Sequence, residues 1–278
     1  MTDEQGRRAY PTDLTDAQWD LIHDLIPPNA GTGRPTEVDL REVINGILYL
    51  LRTGCQWAML PHDLPHPSLV RYYFKKWRED GTWEAIQTRL RERVRLRAGR
   101  NVQPSAGIVD SQSVKTTEAG GERGFDGNKQ INGRKRHVLV DTMGCLLGVL
   151  VCRADITDRE GLLLLLGLVV LSYPLLKKIW ADQNYTGDIR DTVASEHGID
   201  LEVVYKAPQQ RGFVPLPRRW VVERFFGWLN RERRLSKDYE HDVEYSEAWI
   251  HVASISRMLR YLAPSPTPAR PYERRKVA

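Results

Sequence analysis

Three acids in this 278-residue chain have the type and setting for shared chemistry: Asp110, Asp182 and Glu223. Asp110 lies in GIVDSQSVKTT, at the end of a short apolar run (Ala106, Ile108, Val109), where a buried strand delivers a carboxylate to a sheet edge. Asp182 closes a second apolar run, LKKIWAD, and Glu223 sits inside the helical pattern RRWVVERFFGWLN. Brought together, they form an all-oxygen, triply negative pocket of the kind a hard cation such as Mg²⁺ requires. Two such ions, bridged by Asp110 and held individually by Asp182 and Glu223, would activate a water or 3′-hydroxyl and stabilise the leaving oxygen of a phosphodiester. Taken singly, each acid has a plainer use. Asp110 can cap a loop, Asp182 can start the DQNYTG turn, and Glu223 can pair with Arg219 or Arg224. Asp126, Asp141 and Asp158 read as turn or cap residues, with Asp158 a reserve ligand.

Cations gather around the acids in sequence: Lys115, Lys129, Arg134, Lys135, His137, Arg219, Arg224, Arg231 and Arg234. Phosphate neutralisation is their shared employment, against surface solvation for any one of them. The net charge of +5 is modest, but its distribution is uneven. Pro67 to Gln103 holds ten Lys or Arg against four acids, and Tyr205 to Lys237 nine against two. Such asymmetry points to a polyanionic partner, nucleic acid before membrane. A content of 41% hydrophobic and 28% charged residues marks a soluble globular chain. Three cysteines, Cys55, Cys145 and Cys152, lack zinc spacing and suit a reducing, cytoplasmic setting. The polar start MTDEQGRRAYPTD has no signal-peptide core, and Gly161 to Leu171 is too short to span a bilayer, so it is expected as a buried helix.

The elements that must position these residues fall into two regimes. Up to about residue 103 the chain is helical. Residues before Tyr10 are expected to fray, and Thr15 caps a helix with Trp19, Ile22 and Ile26 on its apolar face. A second helix runs from Asp39 to about Thr53 and stops at Gly54. HPSLVRYYFKKWRED starts a third, with Leu69, Tyr72, Tyr73 and Trp77 inward and Arg71, Lys75, Lys76 and Arg78 outward. Helix, turn and basic helix sketch a helix-turn-helix reader; an ordinary helical subdomain with a wet cationic face fits equally. A fourth helix spans Thr82 to about Arg97, and Pro104 punctuates the boundary. Arg34, in the GRP connector, is a phosphate contact by type only.

From Ser105 the pattern changes to strand, strand, strand, helix, strand, helix, strand, helix. EAGGERGFDGNKQINGRKR is expected as an irregular loop, HVLVDTMGCLLGVLVCRAD as a hairpin, and Asp158 as the cap of the leucine-rich helix. A last helix covers about Glu244 to Leu262, and the tail APSPTPARPYERRKVA is expected to be disordered. The predicted class is therefore α+β or α/β: an all-helical N-terminal domain (1–103), a ribonuclease H-like mixed-sheet domain (104–262) and a basic tail (263–278). In that fold the first and fourth strands of this order lie side by side, which sets Asp110 next to Asp182 with the Glu223 helix across them.

Across nearly its whole length the chain resembles bacterial insertion-sequence transposases of the DDE class, the IS-five group. LTDAQWDLI, GRP and CQWAMLP resemble the group's N-terminal region. GIVDSQSVKTT, WADQNYTG and RRWVVERFFGWLNRERRL resemble the blocks carrying its two aspartates and its glutamate. Against the superfamily's Tyr-x2-Arg-x3-Glu-x6-Lys signature, Arg219 and Glu223 fit, Leu216 replaces the tyrosine and Asn230 the lysine, with Arg231 one place on. The resemblance implies binding of transposon ends, strand cleavage and 3′-hydroxyl transfer into target double-stranded DNA by a dimer. It implies Mg²⁺ with Mn²⁺ as a substitute, the acids as catalytic ligands, and a nucleoid-associated protein. The cations read from the basic helix and around the acids as DNA-facing are Arg71, Lys75, Lys76, Lys115, Arg134, Lys135, Arg219, Arg224 and Arg231. A nuclease on the same fold that cuts without joining, and a DNA-binding regulator that has lost chemistry, remain alternatives. Aspartyl-phosphate chemistry on Asp110 is disfavoured, because Gln112 stands where a second acid is needed.

Overall fold

The structure is a computed structural model that describes residues 7–28, 38–118, 121–205 and 218–265. Arg34, Leu216 and most of the tail therefore lie outside the described residues. The first helix is shorter than predicted. Thr15 and Gln18 form a capping box on a single turn, α1 (Asp16–Trp19), and a second tight turn follows at His23–Leu25. Two successive turns satisfy the apolar spacing as well as one helix does, since Ile22 and Ile26 are both buried. Nor is the chain before Tyr10 loose throughout, because Arg7 pairs with Asp13 and Glu42.

Helix α2 (Leu40–Thr53) begins where the Asp39 carboxylate accepts the N–H groups of Arg41 and Glu42, and ends at Gly54, whose φ of 67° suits only glycine without strain. Helix α3 (Pro67–Glu79) has Pro67 in its first turn as expected. Its inner face is rotated from the prediction: Val70, Tyr73, Phe74 and Trp77 are buried, while Tyr72 is 57% exposed. Helix α4 (Thr82–Arg97) buries Trp83, Ile86, Leu90 and Val94.

Beyond Pro104 the chain forms a six-stranded mixed sheet: β1 (Ala106–Lys115), β2 (Gly124–Asp126), β3 (Ile131–Asp141), β4 (Leu146–Arg153), β5 (Lys178–Ala181) and β6 (Asp200–Val203). β2 and β4 flank one side of β3, and β1, β5 and β6 follow on the other. β3 runs antiparallel to β1, whereas β1, β5 and β6 are parallel. This is the ribonuclease H-like arrangement predicted, with two corrections. A short strand, β2, forms inside the glycine-rich stretch, paired to the start of β3. β1 also continues five residues past Asp110, so that acid lies mid-strand rather than at a strand end.

The sheet separates two apolar layers. On one face Ile108, Val138, Val140 and Trp180 pack with α2, α3, α4 and with α7 (Trp220–Leu229) and α8 (Val243–Leu262). On the other, Val109, Leu139, Ile179 and Leu201 pack with α5 (Asp158–Val169) and α6 (Ile189–His197). Thr157, not Asp158, caps α5, in a box with Glu160. The leucine-rich segment is amphipathic rather than fully buried: Leu162, Leu165 and Leu166 face the sheet, while Leu164, Leu168 and Leu171 are exposed. Among the described residues no helix is long and apolar enough to cross a membrane. The change of architecture at Pro104 brings no gap in packing. Arg95 of α4 pairs with buried Asp141 at 2.5 Å, and Gln87 donates to the Leu146 carbonyl.

α8 covers the free edge of β4, where the Glu247 carboxylate accepts the Val151 N–H at 2.8 Å. Burial first, then Glu244 and Glu84, push this carboxyl up to about 7. A raised folded pKa means its contribution to stability is complete below the unfolded value near 4.5 and is lost as pH rises through 7. Glu247→Gln, which keeps an acceptor without the charge, should therefore be more stable than wild type at pH 8, by about 1–3 kcal/mol, and melt higher there, but be no more stable at pH 4. Parallel melting curves for the two proteins between these pH values would refute it.

Candidate active site

Ile108 of β1 pairs with Trp180 of β5, so Asp110 and Asp182, each two residues on, stand at the same level on the same face. α7 lies across that face. Its Glu223 is one turn after Arg219, and the Arg219 guanidinium joins all three acids. One nitrogen, Nη2, is 3.3 Å from Asp110 Oδ2, 3.6 Å from Asp182 Oδ2 and 3.9 Å from Glu223 Oε1. The three acids predicted from sequence are thus brought together, with a cation among them. Asp110 Oδ1 accepts the Ser111 N–H at 2.7 Å, and Asp182 Oδ1 accepts the Asn184 N–H at 2.9 Å, so Asp182 also opens the turn expected of it. Burial pushes the Asp110 carboxyl up to about 6, against the opposing pull of Arg219.

Three hard oxygen donors around one positive centre suit a divalent cation by chemistry. Their spacing is that of a carboxylate–guanidinium cluster: among the described residues no three His, Cys, Asp or Glu groups stand close enough to coordinate an ion. The guanidinium holds the charge balance that an ion would otherwise supply.

On the opposite face of the sheet a second layer fixes the two aspartates. Ser111 donates to Asp158 Oδ1 at 2.7 Å, Lys135 Nζ is 3.2 Å from the same oxygen, and the Asn184 amide reaches both Asp158 Oδ2 (3.2 Å) and Asp182 Oδ2 (3.4 Å). Burial opposes ionisation of Asp158, but Ser111 and Lys135 outweigh it and hold the carboxyl below the usual range. Sequence reasoning missed Ser111 and Asn184. Their signal was adjacency to the two aspartates with a hydrogen-bonding side chain.

The predicted DNA-facing cations divide. Arg71 and Lys75 are exposed on α3, Lys76 lies over the Tyr73 ring, and Lys115 is exposed at the end of β1. Arg231 is exposed beyond α7, and Arg224 is held between the rings of Trp220 and Trp228, 4.3 and 4.7 Å from their centroids. Arg134 and Lys135 are corrected. Arg134 is fully buried and serves Asp238, Ser246 and the carbonyls of Glu122, Glu240 and His241; Lys135 is buried against Asp158 and the Ile156 carbonyl. His137 and Arg234 are buried as well, His137 against Gly161 with its pKa lowered by burial to about 4, hence neutral, and Arg234 against Glu240. None of these four is free to meet a phosphate.

A ribonuclease H-like sheet with one carboxylate on each of two adjacent parallel strand positions and a third on the covering helix defines the class. Residues 101–259 match the family model described as a transposase DDE domain, and residues 14–87 match one described as a putative transposase of the IS4/5 family. The chain belongs to the DDE transposases, of the IS4/IS5 type. It is similar to the insertion element IS402 uncharacterized 16.2 kDa protein of Burkholderia cepacia, 31% identical over 118 residues, 40% of this chain and 78% of that one. It is also similar to a putative transposase for insertion sequence element IS402 of the same organism, 27% identical over 125 residues, 42% of this chain and 59% of that one.

Removing the guanidinium should expose the repulsion it balances. Arg219→Met is expected to lose roughly 1–3 kcal/mol of stability at pH 8 without divalent ions, and to gain more from added Mg²⁺ than wild type does, because the ion then displaces no internal cation. Thermal melts of the two proteins with and without Mg²⁺ decide the matter; identical responses would mean the guanidinium is not the charge partner of the acids.

Proposed function

We propose that this transposase binds the ends of its element, hydrolyses a phosphodiester there and transfers the exposed 3′-hydroxyl to target DNA, using Asp110, Asp182 and Glu223 as its catalytic acids. The observation that carries this reading is the convergence of those three carboxylates, from two strands and a helix, on a single guanidinium. Asp110, Asp182 and Glu223 are the residues that would hold Mg²⁺, or Mn²⁺ in its place. A bound divalent ion supplies Lewis acidity toward phosphodiester oxygens and eases deprotonation of the attacking hydroxyl.

The chain's own residues do the remainder. The backbone N–H groups of Ser111 and Asn184 orient one oxygen of each aspartate and leave the other to face α7. Arg219, released from the acids as the charge balance changes, is placed to pair with a phosphate oxygen of the strand in the site. Arg71, Lys75, Lys76, Lys115, Arg224 and Arg231 supply charge toward the duplex. The division of labour follows the change of architecture: residues 1–103 bind the ends, 104–262 perform the chemistry, and 263–278 form a basic tail. Two copies on paired ends would let each cut one end; the setting is the cytoplasm, at the nucleoid.

Asp110→Ala, Asp182→Ala and Glu223→Ala should each lower Mg²⁺-dependent end cleavage by at least about 10²–10³-fold with duplex affinity retained, since the basic surface is untouched. Cleavage is measured on the DNA flanking the gene, with ends mapped to the nucleotide; undiminished cutting by all three variants sinks the assignment. Pre-cleaved ends test the transfer step: joining to a target plasmid supports transposition, and cutting without joining leaves a nuclease.

A further inference from the structure

A cavity of about 250 Å³ lies between the end of α2, the C-terminal part of α7 and the middle of α8. Four arginines line it, Arg52, Arg231, Arg257 and Arg260, against one carboxylate, Glu232, and that carboxylate is engaged by Arg52 at 3.3 Å. Arg231 and Arg260 are exposed and have no acid partner among the described residues. Arg257 is stacked 3.7 Å from the Trp228 ring centroid and gives Nη2 to the Gly144 carbonyl, but its Nε is buried without a partner. Burial, and then the neighbouring Arg224, hold its pKa below the usual value. Ser254, 1% exposed, also lines the cavity and leaves its hydroxyl unpaired. The cavity therefore carries excess positive charge, two of its arginines lacking an acid partner among the described residues, while the unpaired Arg257 Nε and Ser254 hydroxyl lie buried in its walls rather than open to it.

An anion with several acceptor oxygens balances that charge, and a phosphate group is the one that guanidinium forks match best. The position agrees. Asn230, beside Arg231, accepts from the Gln112 amide at 3.0 Å, and Gln112 lies two residues beyond Asp110 on the same face of β1. Along the helix rise, Glu223 to Leu229 at the end of α7 is on the order of 9 Å, or about two to three nucleotide steps at the 3.4 Å rise of one strand, and Arg231 follows two residues on.

We propose that this cavity is a phosphate-binding site shared by the N-terminal helices and the catalytic domain, and that it receives a backbone phosphate of DNA a few nucleotides from the acids. A free phosphate or pyrophosphate is the other source of the same chemistry. The assignment of a phosphate site stands independently of the catalytic acids; only the DNA source rests on the proposed function.

The experiment uses the full chain as wild type, Arg231→Gln/Arg260→Gln, Arg100→Gln as an exposed control, and Asp110→Ala. Pyrophosphate at constant ionic strength should raise the melting temperature of wild type, Arg100→Gln and Asp110→Ala, and that shift should be largely absent in the double variant, whose melting temperature without ligand reports that it is folded. With a duplex from the DNA flanking the gene, the double variant should lose about tenfold in affinity, with a salt dependence shallower by about one unit, the contribution of one phosphate. A loss on DNA together with the lost pyrophosphate shift identifies the backbone as the source; a loss on DNA with no pyrophosphate shift in wild type is only the general duplex contact of Arg231 and overturns the site. A pyrophosphate shift with DNA binding unchanged identifies a free phosphate. A double variant indistinguishable from wild type in both assays, or an equal loss in Arg100→Gln, overturns the site. Loss of cleavage in Asp110→Ala with its pyrophosphate response intact separates this proposal from the catalytic one.

Discussion

The structure depends on one charge balance: a single guanidinium set among three carboxylates. Three ionised acids drawn into a partly buried site repel one another and lose hydration, and a fold that gathers them without compensation would be driven to protonate or to open. Arg219 provides the compensation from the N-cap of the same helix that carries Glu223, so packing α7 onto β1 and β5 delivers the third acid and the neutralising cation together. Asp110 shows how finely the balance is set, since even with the guanidinium beside it burial leaves its carboxyl raised to about 6.

Much of this was legible in sequence because it followed apolar periodicity. The runs leading into Asp110 and Asp182 are short and dense in Ile, Val and Trp, as strands buried on both faces must be, and the Glu223 helix repeats its apolar residues at helical spacing. What escaped depended on context. In GRKRHVLV, successive cations read as a surface run, yet they continue the strand that ends in HVLV. On a central strand their side chains alternate between two buried faces, so Arg134 meets Asp238 and Lys135 meets Asp158. A basic run that leads without a break into a continuous apolar strand was the available warning. On α3 the error was one of phase: Tyr72 and Val70 can each belong to an apolar stripe, and only the docking of α8, with Trp249 stacked on Phe74, selects the stripe through Phe74.

The N-terminal helices and the sheet share one apolar core, because α8 lies between them and is buried along most of its length. Arg95 fastens the fourth helix to the last residue of β3, and Gly54 allows the end of α2 to touch Arg233, just after α7. The helical part is thereby held in a fixed relation to the acids. The arrangement makes α2 a wall of the arginine-lined cavity as well as a core helix.

The matched pairing of Ile108 with Trp180 also sets how the chain tolerates added or lost residues. In a strand a shift of one position turns every following side chain to the opposite side. A single-codon insertion between Trp180 and Asp182 would aim that carboxylate at the leucines of α5 instead of at its companions, although composition and hydrophobicity would scarcely change. The same insertion in the turn between β2 and β3, on the surface, could be absorbed by a longer loop. The reading frame of pleats, more than the identity of the surrounding apolar residues, is what this catalytic fold has least freedom to alter.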